Sequence, residues 1–201
     1  MYIRTMDHAE AIRHILDRLD NELPDHLYYH GLHHTLDVLE ATERIASSIE
    51  LSDNEFNLLM VAAAYHDCGF MYGHENHEER GCQVVKETLP QYGFDDASIE
   101  QICKMIMATK VPQNPTGTLS DVLCDADLDY LGRDDFKPIA KSLFNELKHL
   151  GVVKDEEAWN RIQLSFLSQH KYHTDYGRTL RQPEKEKHLK ELASIVKQYD
   201  D

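Results

Sequence analysis

The chain has 201 residues, 41% hydrophobic and 28% charged. Those proportions exclude disordered, collagen-like and low-complexity classes and leave enough apolar side chain to bury roughly 70% of the unfolded surface. Thirty-six acidic against 21 basic residues give a formal net charge of −15, which repels a phosphate backbone and argues against long nucleic acid as a partner.

Taken in chain order, no apolar run approaches the roughly 18 residues of a membrane span, and the polar stretch from Met1 to Leu19 lacks the apolar core of a secretory leader. The expectation is a cytoplasmic protein with no membrane partner. Apolar side chains recur at helical spacing at Ile12, Ile15, Leu16 and Leu19, and again at Val38, Leu39, Thr42, Ile45 and Ile49. Ser52 with Glu55 forms a capping box opening a helix through Leu58, Leu59 and Ala62 towards His66, with Gly69 placed to stop it. A further helix is expected from Asn76 to about Pro90, and another, capped by Asp95 or Asp96, through Ile99, Ile102, Ile106 and Met107. Pro112, Pro115 and Gly117 then break the chain. Ser120 and Asp121 begin a short helix through Leu128 and Leu131, Asp134 one to Leu150, Asp155 one to Ser168, and Pro183 the last, ending near Tyr199.

These make eight or nine helices with almost no strand pattern and no repeat, linker or composition shift. The expected architecture is one all-α domain over residues 1–201, its motif-bearing core at about 26–133 and its C-terminal helices at 134–200. Cys68, Cys82, Cys103 and Cys124 include no C-x-x-C pair, so they read as buried thiols in a reducing compartment, Cys68 as a small packing residue.

Histidine is the outlier: the chain has 13, and His26, His30, His33, His34, His66, His74 and His77 fall in one stretch. His30 and His34 stand four apart, on one helical face if the helix already includes His30, and His33 points away and reads as structural. His66 and Asp67 lie side by side at a helix end, where imidazole and carboxylate can converge on one ion. In Asp125-Ala126-Asp127-Leu128-Asp129 three carboxylates alternate within an otherwise apolar helix. At least one should point inward, where an ionised carboxylate is tolerated only if paired or metal-bound.

This order of a histidine, an adjacent His-Asp and a distal aspartate resembles the HD superfamily of metal-dependent phosphohydrolases from His30 to Gly132, about half the chain. His34 matches the first histidine, His66 and Asp67 the name-giving doublet, and Asp127 the final aspartate, while Tyr29-His30 ahead of His34 is similar to cyclic-nucleotide phosphodiesterase relatives. The resemblance implies an all-α, HD-type helical domain with its site in a cleft between helices. It implies a divalent ion on His34, His66, Asp67 and Asp127, with Asp67 also catalytic, and a small phosphate mono- or diester, a nucleotide or related metabolite, as substrate. Two imidazoles and two carboxylates suit manganese, iron, cobalt, nickel or zinc better than calcium, with magnesium also in the expected set. Such an ion acidifies a bound water and polarises a phosphoryl oxygen.

One ion is expected, because Met107-Ala108-Thr109-Lys110 stands where two-metal branches carry a further histidine. His77 is left as a second-metal ligand, a phosphate contact or a surface residue. The Gly-Tyr-Pro extension and the lysine of the cyclic-dinucleotide branch are absent from His66-Asp67-Cys68-Gly69-Phe70 and its surroundings, which argues against that activity. His30 is the expected general acid, from the phosphodiesterase likeness and because an imidazole titrates near neutral pH. Among Arg80, Lys104, Lys110, Arg133, Lys171 and Arg178, the expected contacts to an anionic substrate are Lys110 and Arg133, which flank the breaker loop and the distal aspartate. His170-Lys171-Tyr172-His173-Thr174 reads as an exposed loop, with a polar cover over the cleft mouth as the alternative. The alternatives are a non-catalytic metal- and nucleotide-binding module and a diiron-type oxygenase of the same superfamily; oligomeric state is left open.

Overall fold

Helix α3 (Asp53–Tyr65) organises the first half of the chain. From Leu58 to Tyr65 it is apolar on every face, and all of that run except Met60 is buried. A helix of this kind has to be wrapped, and α1 (His8–Glu22), α2 (Leu32–Ala46), α5 (Asp96–Thr109) and α6 (Thr118–Asp127) pack around it. The computed structural model describes residues 6–200, and among these every regular element is helical. Contacts divide them into two compact units, residues 6–24 with 30–127 and residues 25–29 with 128–200.

In the first unit the start signals are the side-chain caps read from the sequence. The Glu55 N–H donates to Ser52 Oγ at 3.3 Å and the Ser52 N–H to Glu55 Oε2 at 2.9 Å, the reciprocal pair of a capping box. Asp95 accepts from the Ser98 N–H at 2.8 Å and opens α5. Tyr65 donates to the Ala11 carbonyl at 3.1 Å, tying the end of α3 to α1. After α3 the chain makes a 3-10 turn (Cys68–Tyr72) and enters α4 (His77–Thr88), which packs on that turn and on α5. The seating is tight. A Cβ on Gly69 would lie 1.9 Å from the His77 carbonyl oxygen and 2.9 Å from the Gly81 nitrogen, so only glycine lets the two backbones meet there.

The second unit contains a 3-10 turn (Asp129–Gly132), α7 (Phe136–His149), α8 (Glu156–Gln169), a π-helical turn (Gly177–Arg181) and α9 (Gln182–Lys197). Tyr29, Tyr130, Phe136, Phe144 and Trp159 anchor its core. The Tyr29 N–H donates to the buried Glu146 carboxylate at 2.8 Å. Asp129, also buried, is gripped by Arg181, with Nε to Oδ1 at 2.7 Å and Nη2 to Oδ2 at 3.2 Å.

Several local expectations change. Helix α2 begins at Leu32 behind Gly31, so His30 precedes it and shares no helical face with His34. Helix α6 starts at Thr118 and stops at Asp127 instead of running from Ser120 to Leu131: the chain turns at Leu128, and Asp129 goes to Arg181 in a separate turn. The segment from His170 to Thr174 is not an exposed loop. Tyr172 and Thr174 are buried, and the Lys185 ammonium, 1% exposed, donates to His170 O at 2.6 Å and His170 Nδ1 at 3.1 Å. A buried ammonium needs such acceptors; burial, with the Lys185 charge added, lowers the His170 pKa to about 3. No helix among the described residues is long and apolar enough to cross a membrane.

The contact at Gly69 sets a stability expectation. Gly69→Ala should force α4 away from the turn and lower folding stability by about 1–3 kcal/mol, the usual cost of overpacking. Equilibrium denaturation checks this, and an unchanged midpoint would show that α4 can yield without loss.

Candidate metal centre

Three helix ends deliver the site. His34 sits in the first turn of α2, His66 and Asp67 directly follow α3, and Asp127 is the last residue of α6. His34, His66 and Asp67 are buried, and the Asp127 side chain is 15% exposed. His34 Nε2 lies 3.3 Å from His66 Nε2, 3.3 Å from Asp127 Oδ1 and 3.4 Å from Asp67 Oδ2. His66 Nε2 lies 3.3 Å from Asp67 Oδ2 and 3.7 Å from Asp127 Oδ1.

The donor chemistry fits a cation. His66 Nδ1 is 2.8 Å from the Ala63 carbonyl, which only accepts, so in the neutral ring Nδ1 carries the hydrogen and Nε2 presents a lone pair. Asp67 Oδ2 is buried without a hydrogen bond although two imidazole nitrogens stand near it. An ion with bonds of about 2.1 Å holds neighbouring donors about 3–3.5 Å apart, and most of the spacings found here fall in that range. His34, His66 and Asp127 together could hold a metal ion, and Asp67 Oδ2 adjoins both imidazoles.

Electrostatics point the same way. Burial disfavours a charged His34, but the Asp127 and Asp67 carboxylates outweigh it and raise the pKa to about 10. For His66 burial is again opposed, chiefly by Asp67, and the pKa is raised. Burial would raise the Asp67 pKa, yet His66 and then His34 hold it well below the usual carboxylate range. Without an ion, imidazole protons are the positive charge that keeps the Asp67 carboxylate ionised.

Of the three alternating carboxylates, Asp127 reaches the histidines, Asp125 is fully buried, and Asp129 is paired in the second unit. His30 and His77 both stack on Phe70, each with ring centroids 4.1 Å apart. His30 stands edge-on to His34 with centroids 6.0 Å apart. His77 Nε2 lies 3.6 Å from Asp67 Oδ1 and 3.4 Å from Glu78 Oε1, so the two Asp67 oxygens face different histidines. Lys110 is ion-paired to Glu79, with Glu78 4.0 Å away. Arg133 belongs to the second unit, where Asp135 takes it in two hydrogen bonds at 2.9 and 2.7 Å and Asp129 lies 3.7 Å off. Sequence reasoning passed over Phe70 and Gln113, whose Nε2 lies 3.0 Å from Cys124 O and 3.5 Å from Asp127 Oδ2. Only the closeness of Phe70 to His66-Asp67 in sequence could have flagged it, and nothing in the spacing marks Gln113.

With this geometry in hand, residues 31–134 match the family model of the HD domain. That is half of the chain, and the protein belongs to the HD family. No curated protein matches. The crystal structure of a predicted HD superfamily hydrolase from an uncultured Thermotogales bacterium is similar at 21% identity and a TM-score of 0.58, covering 96% of this chain and 91% of that one. At that identity the likeness speaks to the fold.

Single alanine changes at His34, His66, Asp67 or Asp127 should each lower metal content by about ten-fold or more with helical content nearly intact. Retention of metal in Asp127→Ala with loss in Asp125→Ala would show that the wrong carboxylate has been assigned. Metal uptake must also displace the His34 proton, because that group is protonated below about 10. Affinity should therefore fall about ten-fold per pH unit per displaced proton as pH drops from 8 to 6, and a flat calorimetric profile would contradict this.

Proposed function

We propose that the protein is a metal-dependent phosphohydrolase that cleaves a small phosphate mono- or diester, a nucleotide or related metabolite. The observation carrying this reading is the convergence of His34, His66, Asp67 and Asp127, with His30 held beside them on Phe70. One divalent ion, of manganese, iron, cobalt, nickel, zinc or magnesium, is the proposed cofactor, and when bound it supplies an acidified water and a Lewis acid for the phosphoryl oxygens.

The chain's own groups do the rest. His34 and His66 offer Nε2, with the His66 tautomer fixed by the Ala63 carbonyl. Asp67 and Asp127 neutralise the charge, and Asp67 also orients the attacking water. His30 donates a proton to the leaving oxygen. Its ring is held by stacking on Phe70, and it stands next to His34. His77, on the far oxygen of Asp67, contacts the phosphate. Lys110 is the proposed cation for the substrate because its partner Glu79 is surface-exposed and such pairs exchange readily. Arg133, also expected as a contact, is committed to Asp135 and Asp129 and keeps a structural part.

Metal analysis of the purified protein, followed by turnover of a phosphoester panel with each divalent metal, tests the reading. Metal-stimulated hydrolysis supports it. Binding without turnover favours a non-catalytic module, and two ions about 3.5–4 Å apart in anomalous scattering would end the one-ion proposal. His30→Ala should keep the ion yet lose roughly 10²–10⁴ in rate on an ester with an alkoxide leaving group, and far less on a p-nitrophenyl ester. Equal losses on both would show that His30 does not donate the proton.

A further inference from the structure

Four cysteines are free and buried, but they are not alike. Cys68 and Cys124 are fully enclosed, donate to the Gly81 and Ala108 carbonyls, and have their thiol pKa values pushed up by burial. Cys82 on α4 and Cys103 on α5 are each 7% exposed and face each other across the packed helices. Cys82 Sγ lies 3.5 Å from the Cys103 carbonyl oxygen and Cys103 Sγ 3.7 Å from that of Cys82, so each thiol reaches over the other residue's backbone. Both line an open groove of about 560 Å³ between α4 and α5, whose rim carries Lys86 and Lys104.

We propose that Cys82 and Cys103 are a dithiol modification site that a hydroperoxide entering this groove closes reversibly to a disulfide, cross-linking α4 to α5. The residues are far apart in sequence, so no C-x-x-C spacing announces them. The contact between the two thiols favours ionisation of one at the expense of the other, and the ionised thiol is the form that reacts. Its sulfur takes the terminal oxygen of the hydroperoxide: an S–O bond forms, the O–O bond breaks, and the alkoxide leaves as the alcohol with that thiol's proton. The partner thiol then attacks the sulfenic sulfur, forming the S–S bond and breaking S–O, and hydroxide departs with the partner's proton as water. Two thiols are oxidised and one hydroperoxide is reduced to alcohol and water.

The test uses the full chain and hydrogen peroxide in small excess, followed by alkylation and peptide mass spectrometry. The expected product has lost two hydrogens, contains one intrachain Cys82–Cys103 linkage, leaves Cys68 and Cys124 alkylatable after unfolding, and reverts with dithiothreitol. Before oxidation, Cys82 and Cys103 should alkylate in the folded wild type at least about ten-fold faster than the enclosed pair. With the partner thiol removed, in Cys82→Ser or Cys103→Ser, the sulfenic acid should persist on the remaining cysteine of the pair in at least one variant and be trapped by dimedone. Equal alkylation of all four thiols, a linkage joining other cysteines, or no dimedone adduct on the remaining cysteine in either folded variant overturns the proposal; the wild-type alkylation rates decide it if neither variant folds.

Discussion

A carboxylate buried as deeply as that of Asp67 stays ionised only if positive charge meets it. Much of the first unit can be read as the means of doing so. Helix α3 is apolar enough to be wrapped on all sides, and the wrapping helices bring His34 from α2 and Asp127 from α6 to the point where α3 ends. The same ending supplies His66, whose ring is oriented by a carbonyl that the last turn of α3 leaves over. Fold and site share one solution: the element that forms the centre of the unit also brings the ionisable groups into its interior.

The second unit meets a like demand without histidine. Asp129 is more deeply buried than either site carboxylate, yet Arg181 grips it with a two-pronged contact, and Arg133 stands near. A guanidinium is permanently charged and fills the carboxylate's acceptor positions, leaving nothing for a cation to bind. Imidazoles can give up their protons and become ligands. Two aspartates two residues apart in sequence are thereby directed to opposite ends, one to structure and one to a centre that could hold an ion.

Much of this was legible in the sequence where the cause is local. The Ser52–Glu55 box and the Asp95 and Asp155 caps are made by side chains within one turn of their targets, and a stretch such as Leu58 to Tyr65 announces its burial by composition. What depended on distant partners was not legible. Nothing near His30 says that Gly31 will hold it outside α2 and that Phe70 will position its ring. Nothing near Asp129 says that its partner is an arginine 52 residues on, Arg181. Tyr172 is buried where a lysine of a later helix reaches the His170 carbonyl, and a run of polar residues around it gave the opposite impression. The order of ligand residues carries the family; their surroundings are set by tertiary contacts.

The placement of the site at helix ends has an electrostatic consequence of its own. Aligned peptide dipoles leave roughly half a negative charge at a helix C-terminus and half a positive one at an N-terminus. His66-Asp67 and Asp127 lie at the C-terminal ends of α3 and α6, and His34 at the N-terminal end of α2. The two C-terminal ends set backbone negative charge beside the ligand set, and the N-terminal ends of α2 and, at His77, of α4 set positive charge on the side where His34 and the far oxygen of Asp67 stand. This backbone field is indifferent to pH, because peptide groups do not titrate.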